Sequence, residues 1–150
     1  MGDEEMKRNA NAINVINRVS TAANIKIKEI MTKNVVTIGT EEPVFNMVKK
    51  MIKSDVECVP VTRLGKLRGL ITFRDIIRKV IYNPKDPKKV KAKDIMTKSL
   101  MTCTPDSTVI EVVKLMKNKK LRRIPVIDKN KKLVGLVTNF DLAILGWDTE

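Results

Sequence analysis

Histidine is absent from this chain of 150 residues, and cysteine occurs only at Cys58 and Cys103. A zinc site needs more nitrogen and sulfur donors than that, so no metal centre is expected. The usual general base is missing as well, and there is no Gly-x-Ser-x-Gly elbow, Cys-x-x-Cys pair or phosphate loop. The run Gly65-Lys66-Leu67-Arg68-Gly69 reads as a strand turn. The sequence therefore offers no catalytic residue and no cofactor motif, and an enzyme is not expected. Aromatics make up 3% of the chain, so core volume falls to Ile, Val, Leu and Met, and exposed bases would find little to stack on. No apolar run approaches the roughly 20 residues that span a bilayer. The opening Met1-Gly2-Asp3-Glu4-Glu5-Met6 is acidic, unlike a secretory signal, and its sixth residue does not suit myristoylation. A cytoplasmic protein with no membrane partner is expected, its cysteines reduced unless the fold brings them together.

What is present is positive charge and repetition. Thirty Lys and Arg against 17 Asp and Glu give a net charge of +13 and a pI near 9.9. Such a surface attracts phosphates, on a free nucleotide, nucleic acid or lipid, although a solvated lysine-rich surface has the same composition. The repeat appears when Lys26–Ile38 is laid on Lys91–Cys103 at an offset of 65, placing Ile30-Met31-Thr32-Lys33 on Ile95-Met96-Thr97-Lys98. The register runs on through Val44/Val109, Val48/Val113, Met51/Met116 and Pro60-Val61/Pro125-Val126. After a one-residue turn insertion, Leu67–Thr72 falls on Leu133–Thr138 and Asp75 on Asp141.

Each copy reads as β-α-β-β-α. Val35–Ile38 and Leu100–Cys103 suit brief strands. Thr40–Pro43 and Pro105–Thr108 offer oxygens to cap a helix. Val44, Met47, Val48, Met51 and Ile52 then form one apolar stripe at helical spacing, as do Val109, Val112, Val113 and Met116. Strands Val59–Thr62 and Leu67–Thr72 flank one turn, and Ile124–Ile127 and Leu133–Thr138 another. A closing helix carries Ile76, Ile77, Val80 and Ile81 in the first copy and Leu142, Ile144 and Leu145 in the second, with Gly146 placed as a left-handed cap. The expected organisation is an N-terminal helical segment 1–24, repeat one over 25–82, a proline-broken linker 83–89, repeat two over 90–146 and a tail 147–150. Ala12, Ile16, Val19 and Ala23 suit a short amphipathic helix packing on the pair or on a second copy. A unit of about fifty residues buries too little surface to be comfortable alone, so two copies should pack together about a pseudo-two-fold axis, with a cleft at their seam.

The order of elements, the Ile-Met-Thr opening, the Pro-Val of the middle strand and the closing Gly-apolar-apolar-Thr-x-x-Asp, each found twice, resemble a stand-alone CBS-domain pair (a Bateman module) of archaeal or bacterial type. The resemblance covers Ile25 to about Leu145. It implies an α/β (α+β) fold of two β-α-β-β-α repeats packed sheet to sheet, often dimerising into a disc. It also implies a regulatory module that binds AMP, ADP, ATP or S-adenosylmethionine. By that resemblance Asp75 and Asp141 take the ribose, Thr72 and Thr138 the phosphate side, and Arg122 and Arg123 the phosphates. Adenine falls to walls near Val36 and Ile38, or Met101 and Cys103. Thr-x-x-Asp is equally a capping box, with Thr at the N-cap and the acid reaching back, and both roles can alternate. Repeat one carries Glu57 and Cys58 where repeat two has Arg122 and Arg123. One strong site, Thr72 and Asp75 with the arginines, and one weak or empty site are therefore expected.

Two other functions compete. Nucleic-acid binding is the runner-up, because nine basic residues face one acid, Asp128, between Lys114 and Lys132, and such binding would be strongly salt-dependent. A ligand-free interaction module, regulating a partner protein through its closing helices, is the third.

Overall fold

A computed structural model describes residues 2–146, apart from the side chains at positions 15, 16, 18, 19, 22 and 23. The expected stripe of Ile16, Val19 and Ala23 and the tail 147–150 lie outside the described residues. The N-terminal segment is one helix, α1 (Asp3–Asn24), whose first turn carries Asp3, Glu4 and Glu5 against its positive end. It lies beside α5 (Val109–Lys119), and Ala12 on it is exposed.

Repeat one contributes β1 (Ile38–Gly39), α2 (Val44–Ser54), β2 (Cys58–Arg63) and β3 (Lys66–Thr72). β1 runs parallel to β2 and β3 antiparallel to it, with Val61 opposite Gly69 before a bulge. The closing helix starts as α3 (Phe73–Ile76) and continues over Ile77–Tyr82 with π-type hydrogen bonding. Repeat two follows a short helix α4 (Ala92–Ile95) with α5, β4 (Arg123–Ile127), β5 (Leu133–Thr138) and α6 (Asn139–Ile144). Val126 faces Gly135 and the bulge recurs at the matching place. Gly146, at φ 83°, donates to the Ala143 carbonyl and ends α6 in the left-handed cap expected of it.

The opening segments cross over. Ile27, fully buried, belongs to the core of repeat two with Val109, Val112, Met116, Ile124 and Leu142. Ala92 and Ile95 belong to the core of repeat one with Ile38, Met47, Met51, Val59 and Ile71. Backbone pairing follows the same exchange: Thr32 pairs with Leu136 on the edge of β5, and Thr97 with Leu70 on the edge of β3. The glycines of the two Gly-apolar-apolar-Thr motifs make room for this. A Cβ on Gly69 would stand 2.6 Å from the sulfur of Met96, and one on Gly135 would stand 2.5 Å from the sulfur of Met31. Burying one Ile side chain is worth roughly 1.5–3 kcal/mol, so each repeat draws part of its stability from the other.

Several local expectations are corrected. The first strands shrink to Ile38–Gly39 in repeat one and to a single Cys103–Val126 bridge in repeat two, since only there does the chain reach its neighbour. Side-chain oxygens of Thr40–Glu42 do not cap α2. Its first amides, on Val44 and Phe45, donate to the Val90 and Pro87 carbonyls of the linker region. In repeat two Thr108 caps α5 as expected, in a reciprocal box with Glu111. Ile52, Ile77, Ile81 and Ile144 are exposed rather than buried.

Candidate functional site

Both Thr-x-x-Asp motifs close the same way. Thr72 ends β3 and caps the helix after it, accepting a hydrogen bond from the Asp75 amide at its Oγ1. Asp75 Oδ2 accepts from the Thr72 amide at 2.9 Å and from its hydroxyl at 3.1 Å, and Lys79 Nζ lies 3.3 Å from Asp75 Oδ1. Thr138 and Asp141 repeat the box at 2.8 and 3.0 Å, with no lysine partner because residue 145 is Leu145. Each carboxylate is thus engaged in capping, and each threonine stands at a cleft.

Two clefts of about 500 Å³ each flank the seam, within the range of ligand pockets. The first brings Thr72, Phe73 and Arg74 from repeat one against Lys120, Leu121, Arg122 and Arg123 from repeat two, with Glu57 at its edge. The second brings Val35, Val36, Asp55, Glu57 and Cys58 against Leu136, Thr138 and Phe140, with Arg123 again at the edge. Arg123 and Glu57 form the partition between them, Nη2 to Oε2 at 2.8 Å. Four cationic side chains against one carboxylate line the first cleft, and one against two lines the second. Residue identity, not backbone, sets this contrast at matching positions. Asp55 and Lys120 are both left-handed C-caps, at φ 52° and 53°, ending α2 and α5. Glu57 matches Arg122, and Arg74 matches Phe140.

Of the expected site residues, Thr72, Arg122 and Arg123 meet in the first cleft, and Thr138 and Val36 line the second. Asp75 and Asp141 sit behind their threonines rather than on the walls. Ile38 and Cys103 are buried in the two cores, and Met101, 42% exposed, lines neither cleft. Arg74, Lys120, Asp55 and Phe140 were not anticipated. The signal for Arg74 and Phe140 was their place inside Thr-x-x-Asp, whereas Lys120 and Asp55 depend on a left-handed turn that no sequence pattern shows. Both thiols are free and buried. Burial pushes the Cys103 thiol up to about 12 and also raises that of Cys58, opposed there by the nearby Arg123 guanidinium. No group of metal ligands occurs among the described residues, and no helix there is long and apolar enough to cross a membrane.

Two interlocked repeats sharing a partition between paired clefts define a two-repeat module whose clefts belong to neither repeat alone. Residues 27–82 and 92–145 each match the CBS domain, and the chain belongs to that family, whose pairs are regulatory modules. It is similar to an uncharacterized protein of Methanopyrus kandleri, 35% identical over 119 residues, which cover 79% of this chain and 61% of that one. Across three curated relatives from archaea and a plant, the chain spans 43%, 52% and 61% of their lengths. Among solved structures it is similar to the CBS domain of a CBS domain containing membrane protein from Sphaerobacter thermophilus, with TM-score 0.82, 25% identity and coverage of 94% and 99%. It is also similar to a CBS domain pair solved in complex with 5′-methylthioadenosine and S-adenosyl-L-methionine, with TM-score 0.72, 28% identity and coverage of 81% and 95%.

Proposed function

We propose that the chain senses an adenosine-containing ligand at the seam of its two repeats, and that the first cleft is the principal site. The contrast in charge between the clefts carries this reading. Arg74, Lys120, Arg122 and Arg123 suit the phosphates of AMP, ADP or ATP, because guanidinium forks form charge-assisted bidentate hydrogen bonds. S-adenosylmethionine, with no phosphate, is the weaker candidate there, although a similar CBS pair holds it. Thr72 stands where a phosphate would enter, and Asp75, just behind it, would exchange its cap for the vicinal ribose hydroxyls. The second cleft, with Asp55 and Glu57, is the weak or empty one.

Thermal unfolding with millimolar AMP, ATP or S-adenosylmethionine tests the reading. A ligand at about 100 times its Kd stabilises by about 2.7 kcal/mol, roughly 5–11 °C in Tm at this chain length. Absence of a shift with every adenosine compound would remove it. A homodimer is part of the proposal. Phe73, Ile77, Ile81 and Tyr82 on one closing helix and Phe140 and Ile144 on the other are all exposed, an apolar surface that a second copy would cover. Light scattering that returns the mass of one chain at micromolar concentration would refute the dimer. Two free, buried thiols suit a reducing cytoplasmic setting.

A further inference from the structure

A third hollow of about 500 Å³ lies at the opposite end of the repeat-one strands from the clefts. β2 runs from Cys58 to Arg63, which at about 3.3 Å per residue separates its two ends by roughly 17 Å. The hollow shares no wall residue with either cleft. Arg63 and Arg68 enter it from β2 and β3, and Lys93 and Lys98 from the crossed-over opening segment of repeat two, above Met96. Its one carboxylate, Glu41, is held by Lys91 at 2.8 Å and Lys93 at 2.9 Å, and these two ammonium groups hold its carboxyl down at about 2. Arg63, Arg68 and Lys98 have no carboxylate partner among the described residues. Three unpaired cations therefore face one concavity.

The other repeat is an internal control. At the positions matching Arg63 and Arg68 it has Asp128 and Val134, while Lys28 and Lys33 match Lys93 and Lys98, and Asp106 matches Glu41. There Lys28 pairs with Asp106 at 3.0 Å, and Asp128 accepts the Asn130 and Lys132 amides inside its turn. The same backbone is thus built without the arginines, so packing does not require them. Like charges gathered without counter-charge raise the local affinity for an anion, and guanidinium groups favour forked oxyanions.

We infer that this hollow, formed by Arg63, Arg68, Lys93 and Lys98, is a phosphate-binding site separate from the seam clefts, taking the phosphate groups of a free oligophosphate or the phosphodiesters of an RNA backbone. The inference does not rest on the nucleotide reading of the clefts. The test is a titration of the full chain with inorganic pyrophosphate, followed by backbone amide NMR shifts at low salt. Saturable shifts are expected at Thr40, Arg68 and Lys98. R63D/R68V, which installs the residues of the sister repeat, should weaken binding at least about tenfold, two charge-assisted contacts being removed. It should keep the wild-type Tm within a few degrees. E41Q, which releases Lys93, should tighten binding severalfold. Pyrophosphate shifts confined to Thr72 and Arg122, or an unchanged Kd in a folded R63D/R68V, would overturn the inference and leave the cleft proposal standing. A short single-stranded RNA distinguishes the sources. Competition with pyrophosphate, lost in R63D/R68V and falling steeply with salt, identifies a nucleic-acid backbone. Pyrophosphate binding with no such competition identifies a free oligophosphate.

Discussion

Replacing Asp75 by alanine separates the cap from the ligand contact. In the ligand-free chain the carboxylate accepts two hydrogen bonds from Thr72 and pairs with Lys79. Thr72 still caps the helix through the residue-75 amide, but losing the carboxylate half of the box costs about 1 kcal/mol, and the partly buried i,i+4 ion pair adds about 0.3–0.5 kcal/mol. D75A should therefore lose about 1.5 kcal/mol, roughly 3–6 °C in Tm at this chain length. D141A loses the same box but no ion pair, so its Tm should fall by roughly 2–4 °C. In the bound state, a carboxylate holding both ribose hydroxyls is worth about 1.5–3 kcal/mol, which matches or exceeds the roughly 1.5 kcal/mol of box and ion pair it gives up. The exchange is level or downhill. The net gain on binding is the difference, up to about 1.5 kcal/mol, so calorimetric titration of the best adenosine ligand should show D75A weakened by up to about tenfold, with D141A close to wild type. If D75A loses the expected Tm but keeps its affinity, the aspartate is a helix cap and nothing more. Equal affinity losses in the two variants would instead refute the inequality of the clefts.

The interlock can be broken at its tightest point. A Cβ at residue 135 would stand 2.5 Å from Met31 Sδ and 3.0 Å from the Thr32 carbonyl oxygen, which accepts from the Leu136 amide. G135A should cost about 1–3 kcal/mol of overpacking, read by urea unfolding, and G135A/M31A should cost less than the sum of its two single changes; strict additivity refutes the contact. The thiols give a pH prediction. Burial holds Cys103 near 12 against an ordinary 9, so its neutral form contributes stability that is fully present below pH 9 and lost as pH rises from 9 towards 12. Iodoacetamide at pH 8 should leave it unmodified by mass spectrometry until urea unfolds the chain, and rapid labelling of the native protein would contradict its burial.

Much of this was legible because the chain states its design twice. Matching Ile30-Met31-Thr32 to Ile95-Met96-Thr97, and Gly69–Asp75 to Gly135–Asp141, defined both units, their strand pairs and the capping boxes. The crossover was not legible. A hydrophobic pattern says that Ile27 is buried, not in which repeat, because each opening segment fits either core equally by composition. Apolar positions in the closing helix failed for a different reason. Ile76/Val80 and Ile77/Ile81 share the same i,i+4 spacing, so periodicity does not say which pair faces the core; Ile76 and Val80 face inward while Ile77 and Ile81 turn out. Val36 and Ile38 look alike in sequence. They part because only Ile38 pairs with β2, whereas Val36 precedes the strand and borders a cleft.

The two repeats diverge in a pattern that follows position. Core pairs stay alike in kind: Val44 and Val109, Met51 and Met116, and Val61 and Val126 are all buried. Around the clefts the pairs reverse or change charge, with Asp55 against Lys120, Glu57 against Arg122, Cys58 against Arg123 and Arg74 against Phe140. Backbone geometry does not force these exchanges, since Asp55 and Lys120 adopt the same left-handed cap. The pseudo-two-fold is therefore kept where it serves packing and broken where a ligand would touch. Two clefts with opposite charge balance cannot hold the same anion equally well, whatever that anion is. Arg123 sits on the divide, paired with Glu57 while bordering both spaces. A phosphate that draws it into the first cleft leaves Glu57 unpaired beside Asp55, which makes the second cleft still less hospitable to another anion.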